Sequence, residues 1–136
     1  LPTQNHNNYH QLLQFIPFFE SNEPKYTVEN ELSFDPFRYS ERFYEFIMLA
    51  SETLVIVGFD WHSFSEEQPS TTRENLAQQV KEMDFETIRK WMTTIIRQER
   101  YCSGTYAQMI DQGVFLAMLQ RIKQLLDIDN GNIQTP

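Results

Sequence analysis

The segment from Asp84 to Leu126 restricts the fold most: two apolar stripes of helical period flank an elbow, Arg97-Gln-Glu-Arg100-Tyr-Cys-Ser-Gly104. Asp84 stands where it can cap a helix in which Phe85, Ile88, Met92, Ile95 and Ile96 share one face, with Trp91 on its flank. Gly104 can end that helix, Ser103 can cap a short segment over residues 105–111, and Gly113 interrupts it. A last helix from Val114 to about Leu126 gathers Val114, Phe115, Met118, Leu119, Ile122, Leu125 and Leu126 on one side.

Helical signals also run through the earlier part of the chain. Tyr9, Leu12, Leu13 and Ile16 recur at helical spacing, with Asn7 or Asn8 as N-cap and Pro17 limiting the helix. Residues 21–37 carry Asn22, Pro24, Asn30, Asp35 and Pro36 without helical period, which predicts a surface loop with a short extended piece at residues 26–28. Ser40 can cap a helix reaching Val57, closed by Gly58, that buries Phe43, Phe46, Ile47, Ala50, Leu54 and Val57 and turns Glu41, Glu45 and Glu52 outward. Thr71 and Glu74 form the spacing of a capping box for a short helix to about Met83. The expectation is an all-α fold: a single compact domain over residues 1–136, of about five or six helices, with residues 1–5 and 129–136 poorly ordered. The second, fourth and sixth of these helices are expected to supply most of the core.

Composition then narrows the function classes. A hydrophobic fraction of 40% with 14% aromatics suffices for one core. The longest apolar run, residues 53–59, falls far short of the roughly 20 residues that cross a bilayer, so no membrane span is expected. Cys102 is the single cysteine, which excludes an internal disulfide and fits a reducing cytoplasm. The net charge of -8 is uneven: residues 1–83 hold 13 acidic against 5 basic side chains, and residues 84–136 hold 6 of each. Such a chain is repelled by phosphate backbones and attracted to basic surfaces, so a nucleic-acid partner is disfavoured.

Phe59-Asp60-Trp61, then Arg97-X-X-Arg100-Tyr101-X-X-Gly104, Gly113 and Leu119-X-Arg121-Ile122-X-X-Leu125 form a pattern. From Phe15-Ile16-Pro17-Phe18-Phe19 to Leu125 the chain resembles a family of small bacterial proteins known only as a domain of unknown function. The resemblance implies one helical domain and a bacterial or phage source; it implies no activity, ligand or partner.

Candidate sites fall into five groups. Arg89, Lys90, Thr93, Arg97 and Arg100 project within about 100° of one another on the helix before the elbow. Arg97, Arg100 and Arg121 could hold an anion or nucleotide, aided by free N–H groups at a helix start near residues 103–106. Alternatively the elbow arginines pair with Glu86, Glu99, Asp60 or Asp111 and clamp the helices, with Glu86 and Lys90 at a favourable spacing. Asp60 and His62 could form an acid-base pair with Glu99 as a further catalytic suspect, although Trp61 is expected to plug the core and Asp60 to cap a turn. His6 and His10 stand at the spacing of two metal ligands on one helix, but the intervening residues lack the metalloprotease glutamate and no third ligand is evident, so no metal or other cofactor is expected. Cys102 beside Arg100 is expected to be a small semi-buried thiol.

The fifth group is the Glu41, Glu45 and Glu52 stripe, opposite the core and extended by Glu66 and Glu67. It can serve as a solvated face or as a docking face for a basic protein, with Phe37 or Tyr39 as exposed anchors. The leading expectation is therefore a small acidic binding or inhibitory module acting on a protein partner. An enzyme, or an anion binder using the Arg97/Arg100 elbow, is the alternative.

Overall fold

Ser40 and Asp84 start two of the helices that build the core. Ser40 Oγ accepts the Phe43 N–H at 3.1 Å, and Asp84 Oδ1 accepts the Thr87 N–H at 2.7 Å. Each satisfies one of the N–H groups that a helix leaves unpaired at its start. The computed structural model describes residues 6–30 and 32–129, with side chains from residue 8 onward. The expectations for residues 1–5 and 130–136, and for the side chain of His6, lie outside the described residues.

The element order is α1 (His6–Leu13), α2 (Ile16–Glu20), β1 (Tyr26–Val28), β2 (Phe37–Tyr39), α3 (Glu41–Thr53), α4 (Trp61–Glu66), α5 (Leu76–Val80), α6 (Phe85–Glu99), α7 (Thr105–Asp111) and α8 (Val114–Asp129). The fold is helical, as the stripes imply, with one small antiparallel hairpin in which Tyr26 faces Tyr39 and Val28 faces Phe37. No helix among the described residues is long and apolar enough to cross a membrane.

The faces predicted for α3, α6 and α8 do supply the centre of the core. Phe43, Phe46, Ala50, Ile88, Met92, Phe115, Met118, Leu119 and Ile122 are wholly buried. Each large apolar side chain removed from water in this way contributes about 1.5–3 kcal/mol. At the hairpin end the core is aromatic: Phe43 lies 5.4 Å from Tyr106 and 5.2 Å from Tyr39 between ring centroids, and Tyr39 meets Tyr106 edge-on at 5.5 Å. Such pairs add to area burial through ring-edge to ring-face attraction.

Several boundaries differ from the sequence expectation, each for a physical reason. α1 already includes Asn7 and Asn8, so neither is its cap. Pro17 does not end the first helix; it sits in the first turn of a second one, where the missing N–H costs nothing. α3 stops at Thr53 because tertiary partners take the backbone groups beyond it. Leu54 O accepts Arg89 Nε at 3.1 Å, and the Ile56 N–H goes to Thr93 Oγ1 at 3.0 Å. Val57 is consequently exposed rather than in the core. Trp61 does not plug the core either: it opens α4, a helix the sequence pattern does not reveal, and is only half-buried.

The expected capping box does not form: α5 has Asn75 at its N-cap position without a side-chain cap bond, and a reciprocal pair closes the turn before it instead. Thr72 N–H donates to Asn75 Oδ1 at 2.8 Å and Asn75 N–H to Thr72 Oγ1 at 3.2 Å, while the Thr71 hydroxyl donates to Gln79. The helix that follows is only Leu76–Val80. Ser103 likewise does not cap α7, whose N-cap position is Gly104; its hydroxyl donates to Asp35 Oδ1 at 2.8 Å.

Candidate functional site

The elbow is built by a helix end, a glycine and a carboxylate. α6 finishes at Glu99, and the Cys102 N–H returns to Gln98 O at 2.8 Å. Gly104 follows with φ +93°, and a Cβ there would lie 2.5 Å from Phe37 Cε2, so both its backbone and its neighbour demand glycine. The hairpin is fastened to this turn through Ser103 and Asp35, and to the far end of α7 through Tyr26 Oη, which donates to Asp111 Oδ2 at 2.8 Å.

Glu99 occupies the start of α7. Its Oε1 accepts the Tyr106 N–H at 2.7 Å, its Oε2 the Gly104 N–H at 3.4 Å, and the Tyr39 hydroxyl also donates to it at 3.4 Å. The Ala107 N–H donates in turn to Tyr39 Oη at 3.2 Å. The N–H groups that the sequence offered to an external anion are thus taken by the chain's own carboxylate. Burial pushes the Glu99 carboxyl above the usual carboxylate range, and the hydrogen bonds from Tyr106 and Gly104 only partly oppose it. Burial, reinforced by the Glu99 charge, also raises the Tyr39 and Tyr106 phenols well above their usual value.

Beside this carboxylate lies a cleft of about 460 Å³ whose walls include Tyr39, Tyr44, Ser51, Glu99, Arg100 and Tyr106. An adjoining groove of about 350 Å³ shares Glu99 and Arg100 and reaches Asp35 and Tyr101. Tyr106 is only 6% exposed, and among the described residues its hydroxyl makes no hydrogen bond. Arg100 is exposed and makes no side-chain hydrogen bond or ion pair there, and neither does the half-buried Arg97.

The expected clamp of ion pairs is therefore not what holds the elbow. Glu99 serves the α7 backbone, Asp111 serves Tyr26, and Glu86 pairs with Arg89 at 2.9 Å rather than reaching the elbow. Arg121 is not gathered with Arg97 and Arg100. Its Nε donates to Met83 O at 2.8 Å, just ahead of α6, whereas the other two stand at the far end of that helix, about 20 Å away at 1.5 Å per residue.

The remaining suspects are dispersed. Asp60 caps α4, accepting the Ser63 N–H at 3.1 Å and the Ser63 hydroxyl at 2.8 Å, which hold its carboxyl below the usual range. His62 faces Glu66 at 3.4 Å and lines a different cleft, with Trp61 and Tyr101. Asp60, His62 and Glu99 line no common cleft among those described. Cys102 is exposed rather than semi-buried. No cluster of described histidine, cysteine or carboxylate side chains could hold a metal ion.

On α3, Glu41, Glu45 and Glu52 are exposed as the stripe predicts, with Glu45 bonded to Arg42 at 2.8 Å. The apolar side chains exposed among them are Tyr44 and Met48, not the anchors expected from sequence: Phe37 and Tyr39 are half-buried against the elbow. The tyrosine cleft itself has no local sequence signal, because Tyr39, Tyr44 and Tyr106 come from separate elements and meet only through the aromatic core.

No curated protein and no solved structure significantly matches the chain. A family of unknown function, DUF6508, matches residues 4–128, and the chain belongs to that family.

Proposed function

We propose that this domain binds a small polar ligand in the tyrosine-lined cleft at the elbow, with Arg100 as the counter-ion to an anionic group. The observation that supports this is the pairing, in one cleft, of an arginine without a carboxylate partner and a buried Tyr106 hydroxyl without a hydrogen bond among the described residues. A hydroxyl with no partner in the chain is available to a ligand atom placed against it in the cleft, which takes the place of water. A guanidinium offers a carboxylate or phosphate two parallel donors. Asp35 and Glu99 beside Arg100, together with the net charge of -8, disfavour a multiply charged anion. The ligand class that fits carries one negative group and, near it, hydroxyl or ammonium donors for those carboxylates.

Calorimetric titration with amino acids, hydroxy acids and phosphate monoesters tests the proposal. Saturable binding of at least one class is expected, weakened about tenfold or more in Arg100→Ala and weakened in Tyr106→Phe, with the melting temperature of Arg100→Ala unchanged. No binding by any class, or equal binding by Arg100→Ala, refutes it.

A second reading, docking of a basic protein partner on α3, is favoured by the exposed Tyr44 and Met48 between Glu41, Glu45 and Glu52. Apolar side chains beside a stripe of carboxylates are the pattern of a charge-steered contact. Replacing the three glutamates with lysine should abolish capture of such a partner without moving the melting temperature; retained capture removes this reading.

A further inference from the structure

A second cleft at the elbow, about 530 Å³ in volume, is lined by Trp61, His62, Arg73, Gln98, Cys102 and Tyr101, the last of which also reaches the groove beside Arg100. That volume lies in the range of small-molecule sites. Its chemistry differs from that of the tyrosine cleft: aromatic rings are prominent, and no carboxylate lines it among the described residues.

We infer that this cleft binds a planar heteroaromatic ring of nucleobase type against Trp61 and Tyr101, with the Gln98 amide reading the polar edge of the ring. The two ring planes lie within 21° of each other at a centroid separation of 6.3 Å, toward the wide end of the range for aromatic pairs. They are nearly parallel yet leave ring surface uncovered: Tyr101 is 82% exposed and Trp61 only half-buried. Tyr101 contributes little to the core, so an aromatic side chain at this position is not explained by packing.

Polar groups accompany the rings. The Gln98 amide and the Trp61 indole N–H have no hydrogen-bond partner among the described residues. An amide presents donors and an acceptor together, which is what the edge of a heteroaromatic ring requires. Arg73 is held in place by hydrogen bonds to Gln108 and to Thr105 Oγ1, so a flat cation is already fixed in the wall. Guanidinium groups stack on aromatic faces, and a fixed one loses little freedom when a ring arrives. Cys102, the single cysteine of the chain, lies exposed in the same wall and serves as a reporter.

The test uses adenosine, uridine and riboflavin, with ribose as a probe lacking the ring. Titration followed by nuclear magnetic resonance is expected to show saturable binding of at least one ring-bearing probe and none of ribose. Tyr101→Ala should weaken that binding at least about fivefold, the lower end of what one base-stacking contact is worth. Bound probe should also slow alkylation of Cys102 by iodoacetamide. Because Tyr101 is exposed, its alanine variant is expected to fold normally, and Gln98→Leu gives an independent variant that should alter the ranking of the probes. Arg100→Ala should leave this binding intact, which separates it from the tyrosine cleft. Absence of saturable binding by all three ring-bearing probes overturns the inference. Binding that is unchanged in Tyr101→Ala overturns it equally.

Discussion

The Glu99 carboxylate sits on the start of α7, its Oε1 accepting the Tyr106 N–H at 2.7 Å. A helix start attracts negative charge, and here the preceding helix supplies it. The same carboxylate receives the Tyr39 hydroxyl, so one side chain joins α6, α7 and the hairpin. Glu99, a catalytic suspect from sequence, first of all fastens the elbow.

Removing that acceptor should therefore destabilise the fold. Glu99→Ala strands the Tyr106 and Gly104 N–H groups and the Tyr39 hydroxyl, and a loss of about 2–3 kcal/mol is expected in urea denaturation. Glu99→Gln keeps an oxygen in place for the Tyr106 N–H and removes a half-buried charge, so its loss should be smaller, about 1 kcal/mol or less. Equal losses in the two variants would mean that the charge, not the acceptor geometry, is what matters.

The pH dependence has a definite sign. The Glu99 pKa is raised above 4.5 in the folded protein, so the folded state holds this proton more tightly than the unfolded chain does. Ionised Glu99 costs stability at neutral pH, and the cost is relieved as pH falls through its folded pKa toward 4.5. Wild type should gain stability relative to Glu99→Gln across that window and gain nothing further below it. Asp84 and Asp60 act in the opposite sense: their pKa values are lowered from 3.8, and the stability they contribute fades only in more acid solution. Denaturation curves of both proteins between pH 7 and pH 4 measure the difference, and a constant gap across that range would contradict the sign.

What could be read from sequence was local and periodic. Ser40 and Asp84 cap where expected, and the stripes of α6 and α8 are buried, because the cap and the apolar face of each helix both follow from residues within a few turns. The misses are places where a distant partner decides. α3 ends early because Arg89 and Thr93, both in α6, take its last backbone groups, and no spacing within α3 reveals that. The elbow shows the same limit: its arginines and glutamate are visible, but not that Glu99 turns toward α7 and leaves Arg97 and Arg100 without it. Nor does any pattern announce that Tyr39 and Tyr106, in a strand and a helix far apart in the chain, share one cleft wall.

Gly104 and Gly113 should differ under the same substitution. Both have positive φ, +93° and +75°, so alanine at either carries backbone strain of about 1 kcal/mol. At Gly113 the space is open, whereas at Gly104 the new methyl meets the Phe37 ring at 2.5 Å. Gly104→Ala is expected to cost at least 1 kcal/mol more than Gly113→Ala, in line with about 1–3 kcal/mol for overpacking. Phe37→Leu in the Gly104→Ala background should recover part of that excess and none of the strain. A double-mutant cycle on thermal or urea unfolding reads the coupling.

The arginines should divide into scaffold and site when each is replaced in turn. Arg121 Nε holds Met83 O at 2.8 Å and Arg89 Nε holds Leu54 O at 3.1 Å, so each closes a backbone carbonyl next to α6 that no other described group satisfies. Hydrogen bonds with a charged donor contribute about 1.5–3 kcal/mol, and Arg121→Ala and Arg89→Ala should lose amounts of this order. Arg100 holds nothing in the described structure and is exposed, so Arg100→Ala should change stability by no more than about 0.5 kcal/mol. Urea midpoints for the three variants give the ranking directly. A large loss in Arg100→Ala would mean that it has a structural partner after all, and would remove the free cation on which the tyrosine cleft depends as a ligand site.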